Sequence, residues 1–236
     1  MISVVVFKWR KPGYRSRFTA EHVNVMASMV RRHYRHPHRF ICITDDPVGL
    51  DERIEAFPMW KDHLDLLNPT FGKRGPNCYP RLRAFSRDFR EIAGDRFVCL
   101  DLDAVVVGDL TPLWHRPEDF VIWECGRNGQ FNGSMWMMSA GARSQVWDDF
   151  DPVTSPQKAS KSGARGSDQG WIWYKLKGNR EAVWRPSDGV LSFRDDLASG
   201  RKALPPHARI VFFWGLPKPW DKSAQQAAPW ISEHYR

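Results

Sequence analysis

Apolar residues fall in short runs, separated by polar segments rich in glycine, proline and charged side chains. Such runs, bounded by turn-forming residues, are typical of buried strands. They predict strands at residues 2–9, 40–44, 54–57, 120–123, 131–138 and 209–213. The longest run, FVCLDLDAVVV at residues 97–107, predicts a buried central strand that contains two carboxylates.

Helical spacing appears between the first two runs, where apolar residues recur at positions 23, 26, 27 and 30. Thr19 is a suitable N-cap for this helix, which we expect to extend to about Arg35. Further helices are predicted over residues 81–92 and from Asp168 onward, whereas the Ser/Lys/Gly-rich residues 154–166 are expected to be mobile. The order strand, helix, strand predicts a mixed α/β fold, and 236 residues without repeats suit one domain.

The charge balance favours anionic partners, because 35 Lys and Arg against 27 Asp and Glu give a net charge of +8. The 12 Trp exceed ordinary usage and suit either the core or a surface that stacks sugars or bases. The four cysteines lack paired spacing, so we expect them to be reduced, which favours the cytoplasm. No apolar run approaches the roughly 20 residues that span a bilayer, although peripheral membrane contact through basic loops stays open.

Asp101 and Asp103 interrupt the longest apolar run at i, i+2 spacing. A buried carboxylate is costly unless it is paired or binds a cation, and two on one side of an extended segment suit a divalent metal. In open α/β sheets ligands bind beyond the carboxyl ends of the strands, where this pair would lie. The alternative is a pair of capping or salt-bridged aspartates. We favour a metal site for a phosphorylated, nucleotide-linked substrate.

Three later segments add candidate chemistry. The first is FNGS at residues 131–134, a bend that would let a ligand approach the backbone. The second, GSDQG at residues 166–170, places an Asp-Gln pair at a helix start, where it could hold sugar hydroxyls or simply cap the helix. The third, GLPKPW at residues 215–220, presents Lys218 from a proline-rich turn and could reach a phosphate. Each segment alone also fits an ordinary turn or cap.

Together these segments, in this order, resemble the GT-A glycosyltransferases, in particular the family of glycogenin and bacterial lipopolysaccharide galactosyltransferases. The resemblance implies one GT-A (Rossmann-like) domain over residues 1–236, with a mixed, mainly parallel central sheet flanked by helices. Residues 1–107 would form the nucleotide-binding half and residues 108–236 the half for donor sugar and acceptor. It also implies a nucleotide-sugar donor, Mn²⁺ or Mg²⁺, and glycosyl transfer.

The resemblance assigns roles by position. Asp101 and Asp103 would hold the metal and Lys218 the diphosphate, while three residues would surround the donor sugar as catalytic candidates: Asn132, Asp168 and Gln169. Arg81, with Arg83 as a rival, resembles a family arginine that contacts the donor. The first strand and its loop would face the nucleotide through Lys8, Trp9 and Tyr14, with Asp45 nearby. Further donor contacts are expected at Leu102, Ser134, Gly215 and Trp220.

Phe212 is a departure from the family pattern, because the histidine that completes the family's metal site falls at this position. Phenylalanine cannot bind a metal, so water, His207 or Asp221 would fill the place, or the metal would bind more weakly.

We therefore expect a hexosyltransferase that uses a UDP-sugar, retains anomeric configuration and acts on an anionic acceptor. Basic residues at 8–17, 73–74, 81–83 and 158–165 suit a phosphorylated glycan, lipopolysaccharide, or a hydroxymethylated base in DNA. The alternatives are a non-catalytic nucleic-acid-binding domain or degenerate transferase and, more weakly, a nucleotidyltransferase. His33, His36 and His38 lie among cations beside Pro37 and are interpreted as a solvated helix end rather than a metal site.

Overall fold

The computed structural model describes residues 1–10, 18–69, 72, 77–124, 129–200 and 202–236. The strands are β1 (Ile2–Lys8), β2 (His38–Thr44), β3 (Glu55–Pro58), β4 (Arg96–Leu100), β5 (Ala104–Val106), β6 (Phe120–Glu124), β7 (Phe131–Ser139), β8 (Ala182–Trp184), β9 (Val190–Ser192) and β10 (Ile210–Phe212). The helices are α1 (Ala20–His33), α2 (Arg90–Ala93), α3 (Thr111–Trp114), α4 (Gln145–Asp148), α5 (Ser155–Lys161), α6 (Asp168–Leu176), α7 (Lys222–Ala227) and α8 (Trp230–His234). Short 3₁₀ segments span Tyr79–Phe85, Arg87–Phe89, Pro186–Asp188 and Ala198–Gly200.

Seven strands form one sheet in the order β3-β2-β1-β4-β7-β6-β8. β7 is antiparallel to both of its neighbours, and the other pairs are parallel. Three further strands form a small sheet in the order β5-β10-β9. The mixed, mainly parallel sheet with flanking helices confirms the predicted fold class.

Both faces of the large sheet are covered, which explains its nearly continuous apolar strands. All seven residues of β1 are buried, and alternate residues contribute to two different core clusters. Val4 and Val6 pack with α1 and the C-terminal helices, whereas Val5 and Phe7 pack with α6 and the 3₁₀ segments before β4. The predicted helical face of α1 is buried as expected.

Three boundary predictions were wrong. The strand predicted over residues 97–107 is two strands, because the chain leaves the large sheet after β4 and enters the small sheet at β5. The helix predicted over residues 81–92 consists of two 3₁₀ segments followed by the single turn of α2, since Ser86 has extended backbone angles and interrupts it. Residues 154–166 include the helix α5, whose Ser155, Pro156 and Ala159 are buried.

Within the described residues, no helix has both the length and the apolar character needed to cross a bilayer.

Candidate active site

Asp101 and Asp103 lie in the link between the two sheets, at the carboxyl end of β4. Backbone hydrogen bonds fix the link on both sides: Asp101 N donates to the Ser134 carbonyl at 2.9 Å, and the Asp103 carbonyl accepts from Phe213 N at 2.8 Å. Leu102 between them is buried in the core. The two carboxylates are therefore held beside β7 and the segment that follows β10.

Arg81 is the hub of a buried ion-pair cluster. Its Nη1 contacts Asp101 Oδ1, and its Nε lies 2.9 Å from Asp168 Oδ2. Its Nη2 donates to the Gly133 carbonyl, and the guanidinium lies 4.7 Å from the ring centroid of Trp136. The side chains of Arg81 and Asp168 are only 7% and 5% exposed. One arginine thus joins three of the segments that the sequence singled out.

Lys218 pairs with the second carboxylate of the motif. Its Nζ contacts Asp103 Oδ2 and donates to the Phe213 carbonyl at 3.1 Å. The turn that presents it begins at Gly215, whose φ of 81° suits glycine, and the Lys218 backbone N–H donates to Asp221 Oδ2 at 2.7 Å. Each carboxylate of the motif therefore has its own cation from a distant segment.

Burial sets the protonation equilibria of this cluster. It raises the pKa of Asp103, against the opposing charge of Lys218, and it raises the pKa of Asp168, against the opposing charge of Arg81. Burial also works against the Arg81 guanidinium, but Asp101 and Asp168 outweigh it, so the pKa of Arg81 is raised and the group stays charged. Three carboxylates face two cations, which leaves room for further positive charge.

Gly133 and Gln169 shape the remaining wall. Gln169 Oε1 accepts from Gly133 N at 3.3 Å, and a Cβ at Gly133 would lie 2.9 Å from Arg81 Nη2. The bend predicted at FNGS is instead the start of strand β7, where its pairing with β6 shifts register, and Asn132 Oδ1 accepts there from the backbone N–H of Ser134 at 2.9 Å. The close approach of Gly133 to Arg81 and the stacking of Trp136 beneath it were not predicted, although both residues lie in or beside the FNGS segment.

The structure describes some of the residues that were predicted to contact the nucleotide. Lys8 is buried at the end of β1, Trp9 is partly buried against Phe7 with ring centroids 6.4 Å apart, and Asp45 Oδ2 accepts from Arg10 N at 2.9 Å. Tyr14 and the basic residues at 11–17 and 73–74 lie outside the described residues.

Arg83, the rival of Arg81, is directed elsewhere. Its Nη1 lies 3.0 Å from Asp62 Oδ2, and its guanidinium lies 5.4 Å from the ring centroid of Trp60. Trp220, at the end of the lysine turn, packs against His22 with ring centroids 4.1 Å apart. The His22 contact gave no signal in the sequence, because it joins segments almost 200 residues apart.

The Phe212 side chain is buried and stacks on Trp123 with ring centroids 4.7 Å apart. His207 Nε2 lies 3.1 Å from the Pro186 carbonyl, and Asp221 accepts from the Lys218 backbone. No group of three or more His, Cys, Asp or Glu side chains that could hold a metal occurs in the part of the chain that the structure describes.

The donor set nevertheless fits a hard divalent cation. Mg²⁺ in nucleotide enzymes is commonly held by one or two carboxylates together with substrate phosphates and water. Asp101 and Asp103 supply two carboxylates, and the excess of carboxylates over cations would repel a diphosphate unless another positive charge accompanied it.

Solved structures of glycosyltransferases match this fold. Galactosyltransferase LgtC in complex with donor and acceptor sugar analogues matches with a TM-score of 0.64 at 16% identity, over 100% of this chain and 97% of that one. The protein has the GT-A glycosyltransferase fold. An active-site mutant of LgtC matches with a TM-score of 0.62 at 16% identity, over 98% and 95% of the two chains.

The GT-A fold here also matches glycosyltransferase GlyE of Streptococcus pneumoniae TIGR4. That match has a TM-score of 0.59 at 15% identity and covers 94% of this chain but 57% of the other. No protein-family model matches the sequence, and no curated protein matches it.

Proposed function

We propose that this protein is a glycosyltransferase that moves a hexose from a UDP-sugar to a hydroxyl of an anionic acceptor. The observation that carries the proposal is the meeting of four segments at one place: the DLD motif, the FNGS segment and the Asp-Gln helix start through Arg81, and the lysine turn through Lys218. The ion pairs of Asp101 and Asp103 with Arg81 and Lys218 would have to open or be shared when a metal and a diphosphate bind. The cluster lies at the edge of a GT-A sheet where parallel strands end, which is the usual ligand-binding edge of such sheets.

The roles follow from charge and position. Lys218, a compact cation on a fixed turn, would bind the diphosphate and stabilise the negative charge that develops on it as the sugar leaves. Asp168 and Gln169 at the start of α6, with Asn132 on β7, would orient the donor sugar. Arg81 would fix the positions of Asp101 and Asp168 relative to each other, since it contacts both.

Asp101 and Asp103 would hold Mn²⁺ or Mg²⁺. When bound, this ion supplies positive charge that neutralises the departing diphosphate. Without a further protein ligand among the described residues, affinity would depend on the donor, so we expect metal and nucleotide to bind cooperatively.

Titration calorimetry of UDP with and without Mn²⁺ tests the site without an acceptor. We expect UDP to bind at least tenfold more tightly with Mn²⁺, a difference of about 1.4 kcal/mol. Asp101→Asn and Asp103→Asn should remove that difference. Asp148→Asn, which alters an exposed carboxylate paired with Arg87, is the matched control and should leave it intact. If the affinity for UDP changes neither with Mn²⁺ nor with the two substitutions, the assignment of Asp101 and Asp103 to a metal site is refuted.

Transfer itself is tested by incubating UDP-glucose or UDP-galactose with Mn²⁺ and following release of UDP. Release that persists at full rate in EDTA would exclude the metal role. NMR of the anomeric proton in the product distinguishes retention, which the family resemblance favours, from inversion. Phosphorylated glycans and hydroxymethylated DNA are the two acceptors to compare, and transfer to neutral sugars alone would refute an anionic acceptor.

A further inference from the structure

A strongly basic concavity lies at the end of α1 remote from the carboxylate cluster. Its volume is about 560 Å³, and it is lined by four arginines and two histidines with a single carboxylate side chain, Glu233. A second concavity of about 410 Å³ adjoins it and shares Arg32, His33 and Arg35. The acid of the second one, Asp109, already accepts hydrogen bonds from Thr111 N at 3.0 Å and Thr111 Oγ1 at 2.7 Å.

The position separates this concavity from the donor site. His22, in the first turn of α1, contacts Trp220 of the lysine turn, whereas His33 is the last residue of the helix. His33 follows His22 by eleven positions, which corresponds to about 16 Å along the helix axis. A ligand in the concavity therefore does not occupy the place of the donor diphosphate.

Arg32 forms part of the wall of the concavity, and its guanidinium is already hydrogen-bonded within the protein. It donates to Ser28 Oγ at 2.7 Å, to the His234 carbonyl at 2.5 Å, and to the Arg236 carbonyl. These bonds tie α8 to α1 and hold the His33 and His234 rings 5.9 Å apart. The cations are thus brought together by packing between distant segments of the chain.

Two arginines keep hydrogen-bonding capacity for a ligand. Arg31 Nη2 is buried without a hydrogen-bond partner and lies 3.7 Å from Asp51 Oδ1, which accepts hydrogen bonds from Arg53 N and Nε, both at 2.9 Å. Arg35 is exposed, and the structure shows no ion pair for it among the described residues. Arg31 therefore has only the long ion pair with Asp51, and Arg35 has none among the described residues, so an anion that joined the two guanidinium groups would be favoured.

The pKa values of the two histidines also reflect the excess of positive charge in the concavity. Burial lowers the pKa of His33, and the neighbouring His234 and Arg32 lower it further, against a weaker opposing effect of Asp109. Burial also lowers the pKa of His234, with Glu233 opposing and Arg32 and Arg236 adding to the decrease. Burial is the larger cause of the lowered pKa of both rings and the neighbouring cations add to it, and a bound anion would offset the part due to the cations.

We propose that this concavity is a second ligand site, which binds a phosphate group carried on the acceptor. The concave shape suits a discrete phosphate at one end of an extended glycan, which could span the roughly 16 Å to the donor site, rather than the backbone of a nucleic-acid duplex. Arg31 and Arg35 supply the charged donors, and Arg32 positions the wall. The link to the acceptor rests on the proposed function, whereas phosphate binding does not.

NMR titration of the histidine ring protons tests the proposal in the full chain. Inorganic phosphate and glucose 6-phosphate should shift the His33 and His234 signals and raise the pKa of both groups, and glucose should do neither. His63, which packs between Trp147 and Phe150, should not respond. No response to either phosphate would overturn the site, and a response to inorganic phosphate alone would overturn a phosphate carried on a sugar.

Matched variants complete the test. The double variant Arg31→Gln/Arg35→Gln should weaken phosphate binding roughly tenfold or more, because two charge-assisted donors are lost. Arg180→Gln removes an exposed charge elsewhere and should change affinity by less than about twofold. Unchanged affinity in a double variant whose circular dichroism matches the wild type would refute the assignment. Lys218→Gln should lose UDP binding yet keep the histidine response, so failure at one site is distinguishable from failure at the other.

Discussion

Replacing Arg81 with methionine should cost the fold more than any exposed arginine would. The substitution keeps much of the apolar stem but leaves Asp168, only 5% exposed, without the guanidinium that lies 2.9 Å away. Removing one partner of a buried ion pair costs about 3–5 kcal/mol, since the remaining charge stays uncompensated. Asp101 is 27% exposed and regains water, so it adds less. We expect a loss of about 4 kcal/mol in the free energy of unfolding.

Urea denaturation followed by fluorescence measures this loss. Arg83→Met, two residues away, is the matched control: its partner Asp62 is 42% exposed, and such exposed pairs contribute about 0–1 kcal/mol. The pH adds a sign. In Arg81→Met the folded-state pKa of Asp168 lies further above its unfolded value, so the folded state binds more protons and stability falls as the pH rises through that range.

The double variant Arg81→Met/Asp168→Asn removes both charges and should recover a large part of the loss. A single variant Arg81→Met that loses less than about 1 kcal/mol, or no more than Arg83→Met, would refute the view that Asp168 depends on this arginine.

Two further predictions concern buried positions. Gly133→Ala should destabilise the protein by about 1–3 kcal/mol and weaken UDP binding, because its Cβ would lie 2.9 Å from Arg81 Nη2. Gly178→Ala is the control, since a Cβ there would have no atom within 4 Å, and equal urea midpoints for the two variants would contradict the prediction. Cys42 and Cys99 should resist alkylation by iodoacetamide in the native protein at pH 8, since burial raises the pKa of Cys42 to about 12 and also raises the pKa of Cys99. Rapid alkylation of either cysteine, detected by mass spectrometry, would contradict their burial.

The sequence carried much of the fold because strands buried on both faces leave a strong signal. β1, β2, β6 and β7 were found within a few residues of their bounds, since each is rich in apolar residues, and β4 was found at its start but not at its end. The break at Leu102 could not be seen, because a buried leucine between two aspartates looks like a continued strand although it joins two sheets. Propensity likewise did not reveal the 3₁₀ turns before β4.

The candidate site was visible as separate segments but not as a network. The positions of Asp101, Asp103 and Lys218 followed from motifs, whereas the choice of Arg81 over Arg83 for contact with Asp101 needed three dimensions. Two arginines two residues apart have the same local sequence context. Only the packing of the Tyr79–Phe85 segment decides which one is buried against Trp136. The basic concavity was hidden for the same reason, because three of its seven lining residues, Glu233, His234 and Arg236, come from the far end of the sequence.

The stack of Phe212 on Trp123 has a consequence for how this site could change over generations. The substitution Phe212→His would replace a ring that is buried and stacks on Trp123 at 4.7 Å by an imidazole whose nitrogens need hydrogen-bond partners in an apolar surrounding. A three-ligand metal site is therefore separated from the present one by a destabilised intermediate, and a lineage that has adopted this pair of aromatic rings would tend to keep it.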